Sequence, residues 1–245
     1  MENKEMTFWD HLEELRGVLF RSVLILFGLF VVLFFFKEFI FDSVVLWPAS
    51  ESFWLYRLLG MKMNINLINI EVTAQFFIHM KVTFIAAFVI GFPFIVYELW
   101  RFIAPALYDN EIHTMKRAFA FGGGLFYTGA AMGYFVVMPL VLLFFNGYQV
   151  SEAVVNTFSL GSYISIFSGM VLMMGLLFEF PTVLAVLSHF GIIDKSFLRK
   201  YRRHAIVVIL ILAALLTPTG DPFTMLVVAL PLYGLYEGSI LVCRN

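Results

Sequence analysis

Apolar residues along this chain come in long blocks with short polar punctuation, not in the alternation of a half-buried sheet. Six blocks read as membrane-spanning helices, at about 17–36, 76–102, 118–145, 160–190, 205–216 and 223–241. A helix rises ~1.5 Å per residue, so the first four are long enough for a hydrocarbon core of ~30 Å. The fifth reaches only ~18 Å, and the apolar part of the sixth ends near Tyr233, ahead of Glu237 and Arg244. Two adjacent short spans predict a bilayer thinned beside them.

The segments around these blocks carry the remaining pattern. Residues 6–21 read as an amphipathic helix running into the first span, with Phe8, Leu12, Leu15 and Leu19 on one face and Asp10, Glu14 and Arg21 on another. That polar face suits either a self-paired interfacial helix or a Glu14 left available for an incoming cation. Lys37 marks the far interface, and residues 38–73 form an outer loop. Its Trp47, Trp54 and Tyr56 suit an interfacial belt, and a short helix over Glu51–Leu59, capped by Ser50, reads as a structural lid.

Inside the spans, Pro93 and Pro139 predict kinks, because proline removes a helical hydrogen bond and crowds the preceding turn. Gly129-x-x-x-Gly133 and the glycines at 122–124 predict close approach by another helix. His79 and Lys81 lie near the outer end of the second span, within reach of the interface. Glu179 precedes Phe180 and Pro181 in the fourth span. A carboxylate there costs about 2.5–3.5 kcal/mol on insertion scales, so it faces protein, water or a partner. A satisfied structural role and a functional one both fit.

Composition narrows the class. The chain of 245 residues is 61% hydrophobic and 13% charged, against about 45–50% and about 25% in soluble domains, which makes it an integral membrane protein. A net charge of −1 argues against nucleic acid, which needs a basic face. One cysteine, Cys243, forbids an intramolecular disulfide, and no His/Cys spacing suits a metal. Residues 1–14 lack a basic start and a small-residue cleavage site, so the first span is expected to be retained. Lys4, Arg16, Arg101, Lys116, Arg117, Lys195, Arg199, Lys200, Arg202, Arg203 and Arg244 fall on one side, and Lys37, Arg57 and Lys62 on the other. The positive-inside rule then puts both termini in the cytoplasm, on the same side as Glu14 and Glu111.

Two motifs give the chain a family likeness. His11-Leu12-Glu13-Glu14-Leu15-Arg16 resembles the H-L-x-E-L-R motif of the TatC family, the multispanning receptor subunit of the twin-arginine protein translocase. Phe102 to Glu111, FIAPALYDNE, is similar to that family's F-I-x-P-A-L-Y-x-x-E. The family usually has an arginine where Val18 stands, and Arg21 is the candidate replacement. Lys81, Pro93, Glu179-Phe-Pro181, Thr217-Pro218, Asp221 and Glu237 also fall where the family has like residues. The resemblance implies one all-α membrane domain over 1–245, with six transmembrane helices in a concave, glove-like arrangement. It further implies an inner-membrane receptor that binds twin-arginine signal peptides of folded proteins from the cytoplasm. Such a receptor self-associates and assembles with TatA/TatB-type single-span proteins for export driven by the proton-motive force. By resemblance Glu14, Phe102 and Glu111, with Leu12, Arg16 and Tyr108, bind the peptide, while Glu179, Pro93, Asp221 and Glu237 serve coupling to partner helices. No cofactor, metal or catalytic residue is implied.

Two other classes compete on the residues alone. A secondary transporter would use Glu179 as its ion carrier, but the halves of the chain show no repeated pattern of broken helices. An intramembrane hydrolase would need a catalytic cluster, yet His79 and His113 fall on opposite sides and no serine elbow or metal motif occurs. The short fifth and sixth spans carry their own test: a lipid-resolved density map should show local thinning beside them, and a bilayer of ordinary thickness there would refute it.

Overall fold

The computed structural model describes residues 8–61, 63, 65–107, 109–151, 156–217 and 221–242. Helix α1 runs unbroken from Phe8 to Phe34, so the amphipathic start and the first span are one element. It lies antiparallel to α3, Ala74–Ile103, along a narrow seam with four points of contact. His11 stacks on Phe102 at a centroid distance of 4.3 Å. Arg21 Nε meets Glu98 Oε2 at 2.7 Å. Leu26 and Leu29 close over Gly91, where an added Cβ would come within 3.0 and 3.1 Å of them. At the far end Phe34 stacks on His79 at 4.2 Å. Away from the seam α1 exposes Leu19, Phe20, Val23 and Phe27, as a lipid-facing helix must.

The outer loop is a built cap. A π-helical stretch, Phe39–Val45, leads into a short turn at Trp47–Ala49 and helix α2, Trp54–Leu59. Phe53, Tyr56 and Met63 are fully buried within it. The Tyr56 hydroxyl donates to the Pro48 carbonyl at 2.8 Å, and Tyr134 donates to the Val44 carbonyl at 2.7 Å. These bonds satisfy backbone groups that irregular turns leave open. Ser50 does not cap the short helix as its position predicts. Its hydroxyl turns back to the Trp47 carbonyl at 2.8 Å, and α2 begins after Phe53 with no side-chain cap. A two-residue parallel pair, β1 (Leu67–Ile68) with β2 (Phe158–Ser159), ties this loop to the next outer connection.

The third span is α4, Asp109–Met132, a π-helical segment at Gly133–Val137, and α5, Met138–Gly147. Pro139 sits in the first turn of α5, so the missing N–H is absorbed where the ladder has already changed register. Helix α6, Leu160–Phe178, and α7, Phe180–His189, make the fourth span, interrupted at Glu179. Backbone approach joins the third and fourth spans. A Cβ on Gly129 would strike the Met174 carbonyl, and one on Gly133 the Met170 carbonyl. The triple glycine behaves otherwise than its pattern predicts. Only Gly122 meets another helix, while Gly123 and Gly124 face open space.

Helices α8 (Lys195–Lys200), α9 (Arg202–Leu216) and α10 (Pro222–Val242) complete the fold. Asp194 caps α8, its carboxylate accepting from the Phe197 N–H and the Ser196 hydroxyl, which hold it below the usual carboxylate range. Among the described residues, five helical segments are long and apolar enough to cross a membrane. Helix α9, with 15 residues and ~22 Å of length, is shorter. It lies antiparallel to α10, with Arg202 at its start bonded to Glu237 near the α10 end at 2.6 Å. That pair sets a polar level on both helices and leaves α10 an apolar stretch, 222–236, as long as α9.

The glycine packing has a direct test. Gly133→Ala should lower the melting temperature of the purified protein by several degrees, the equivalent of about 1–3 kcal/mol of overpacking. Gly123→Ala, which meets nothing within 4 Å, should leave it unchanged or slightly raised.

Candidate functional site

Two sequence motifs far apart in the chain meet at one end of the helices. The α1 motif and the end of α3 are joined by the stack of His11 on Phe102. Helix α3 stops at Ile103 because Pro105, in the turn Ala104–Ala106, cannot continue it. The chain then reverses into α4, whose first turn contains Glu111. Glu14 is half-buried on α1 and, among the described residues, has no ion-pair partner. Leu12 and Arg16 are exposed beside it, and Phe102 is partly buried. Tyr108 and the Glu111 side chain lie outside the described residues.

Arg21 does not serve Glu14. Its guanidinium is committed to Glu98, whose side chain is only 7% exposed, and Arg101 reaches the other carboxylate oxygen at 3.4 Å. Two guanidiniums give this buried carboxylate a charge-assisted partner at each oxygen, so neither oxygen is left unpaired. Glu98, which ties α1 to α3 beside the two motifs, is the residue that sequence reasoning passed over. Its spacing to Arg101 was visible, but the partner that matters is 77 residues away.

The coupling candidates separate in space and in role. Glu179 sits at the α6–α7 break with its carboxylate directed to α4, where a Cβ on Gly122 would fall 2.7 Å from Oε2. Its other oxygen is buried with no hydrogen-bond partner among the described residues. Asp221 accepts from the Thr224 N–H at 2.8 Å and thereby caps α10. Glu237 is held by Arg202 and by the Tyr233 hydroxyl at 3.0 Å. Pro93 is exposed on α3, at the bottom of a groove against α4.

Residues 10–231 match the family model described as Sec-independent protein translocase protein (TatC). The chain belongs to the TatC family. It is 37% identical to the Sec-independent protein translocase protein TatC of Blattabacterium sp. subsp. Periplaneta americana, over 98% of this chain and 96% of that protein. The TatC protein of Campylobacter jejuni is 35% identical, with 96% and 92% covered. A crystal structure of the twin arginine translocase receptor TatC superposes with a TM-score of 0.78 at 32% identity, covering 95% of this chain and 97% of that one. A second, of the same receptor in DDM, gives 0.81. TatC proteins are translocase receptors, not enzymes, and work with other Tat subunits. The chain is accordingly a multi-pass membrane component of a Sec-independent translocase.

Truncating the two ends of the Arg21–Glu98 pair should have unequal effects. Arg21→Ala leaves a buried carboxylate with Arg101 alone and should cost about 1–3 kcal/mol in thermal unfolding. Glu98→Ala frees two arginines that are 42% and 52% exposed and reach water, so it should cost less. Equal losses would show that the burial of Glu98 carries no penalty.

Proposed function

We propose that this TatC protein is the receptor that grips twin-arginine signal peptides at the cytoplasmic face of the inner membrane, with both termini in the cytoplasm. Glu14 and Glu111 take the two guanidinium groups. Leu12, Arg16, Phe102 and Tyr108 form the surrounding surface. The observation that carries this reading is the contact of His11 with Phe102, which sets the two carboxylate-bearing motifs side by side. Guanidinium is planar, always charged and matches a carboxylate through two parallel bonds, whereas lysine offers a point charge. Two such sites therefore prefer paired arginines. Two such pairs, at about 1.5–3 kcal/mol each, give at most ~6 kcal/mol, short of the ~8 kcal/mol of micromolar binding. The apolar part of the peptide supplies the difference.

Coupling to partners follows from the remaining polar residues. Glu179, at the break in the fourth span and with one buried oxygen that has no hydrogen-bond partner among the described residues, is the polar group that a TatA/TatB-type helix meets on docking. Helices α9 and α10, with Asp221 and Glu237 fixing their ends, offer the docking edge, and Pro93 bounds the opposite side. Export then proceeds at the expense of the proton-motive force.

Titration of a labelled twin-arginine peptide separates the roles. Glu111→Ala should weaken binding about 10–100-fold, the equivalent of one charge-assisted bond, and Glu13→Ala should leave it near wild type. Glu179→Ala should retain peptide affinity and lose crosslinks to partner helices. Equal effects at 111 and 13, or full partner recruitment without Glu179, would contradict these assignments.

A further inference from the structure

Apart from Pro93 at its α3 wall, assigned above to partner coupling, the groove between α3 and α4 is used by nothing described so far. It encloses about 390 Å³ and is lined almost wholly by apolar atoms, including Pro93, Tyr97, Trp100, Phe119 and Tyr127. The exception is Lys116 at one end, exposed and without an ion pair among the described residues. Lys116, Ala120, Gly123, Gly124 and Tyr127 follow one another at helical spacing along the α4 face of the groove. From Lys116 to Tyr127 that face is ~16 Å long, half of a ~30 Å hydrocarbon core. At the deep end the Tyr127 hydroxyl donates to the Val89 carbonyl at 2.9 Å, joining α4 to α3. Near the charged end the Trp100 and Phe119 rings pack at 5.5 Å, and tryptophan belongs at headgroup level.

The dimensions and charge of the groove fit one leaflet of lipid. We infer that it is a binding site for an anionic glycerophospholipid of the cytoplasmic leaflet, its phosphate on the Lys116 ammonium and an acyl chain along Gly123 and Gly124 toward Pro93. A lysine ammonium is a compact, three-donor charge suited to a headgroup phosphate. Glycine in a helix interior is unfavourable relative to alanine. Gly123 and Gly124 contact no other helix, and a bare backbone there leaves the floor of the groove open to a chain. The depth of the leaflet rests on the orientation that puts 101–117 at the cytoplasmic face. It does not depend on peptide binding.

The test uses the full chain in detergent, titrated with phosphatidylglycerol or phosphatidylcholine of equal chain length and read by native mass spectrometry. Wild type should retain phosphatidylglycerol about fivefold more tightly, the weight of one lysine at an anionic headgroup. Lys116→Gln, at an exposed position, should abolish that preference and leave phosphatidylcholine retention unchanged. Gly124→Leu, which fills the groove, should reduce retention of both lipids, and Lys195→Gln, at the start of α8 and not lining the groove, should change neither. Equal retention of the two lipids by wild type, or a preference that survives Lys116→Gln, would overturn the site. So would one-for-one displacement of phosphatidylglycerol by a twin-arginine peptide, which would hand the groove to the peptide's apolar segment. A chain that binds no such peptide would defeat the receptor reading and leave the lipid comparison readable.

Discussion

Arg21 and Glu98 decide where the first helix sits, and through it where the receptor surface forms. Lipid tails are as apolar as leucine, so a bilayer gives helices no hydrophobic reason to associate. Helix α1 turns most of its large side chains to lipid and needs contacts that lipid cannot imitate. A carboxylate buried in α3 provides one, because Arg101 on the same helix reaches only one of its oxygens and Arg21 from α1 supplies the shorter partner at the other. Gly91 and the two aromatic stacks at the ends supply fit along the same seam. With that seam closed, residues near position 12 lie against residues near 102, and Glu14 and Glu111 come to the same end of the helix bundle.

The opposite end is fixed by different means. Fully buried aromatics and tyrosine hydroxyls bonded to loop carbonyls make the outer loop a rigid lid over the spans. Between the two ends, Gly129 and Gly133 let the third span press against the fourth, backbone to backbone. Gly122 then makes room for the Glu179 carboxylate at the one break in the fourth span. Glycine spacing and the intramembrane acid are thus parts of one arrangement, in which removal of side chains on α4 seats a costly polar group on its neighbour.

Much of this was legible in the sequence because its physics is local. Long apolar runs specify spans, glycines four apart specify close helices, and the two motifs are short contiguous strings. What escaped depended on partners distant in the chain. Glu98 reads as an ordinary interfacial acid until Arg21 is placed beside it, and Arg21 read as company for Glu14 because helical periodicity knows only its own helix. Ser50 fails as a cap because the helix starts only at Trp54, which puts Phe53 at the cap position, while the Ser50 hydroxyl donates to the Trp47 carbonyl. Gly123 and Gly124 looked like packing glycines, yet only a structure shows which helix face has a neighbour.

The proposed signal-peptide site rests on two acidic residues, Glu14 and Glu111, acting together on one peptide. The direct measurement is photocrosslinking of a peptide, with a probe beside its arginine pair, to this protein carrying acceptor sites near residues 14 and 111. A single twin-arginine peptide should crosslink to both sites, and its twin-lysine counterpart to neither at the same concentration. Crosslinks to one site alone, or equal crosslinking of the two peptides, would contradict a shared grip on paired guanidinium groups.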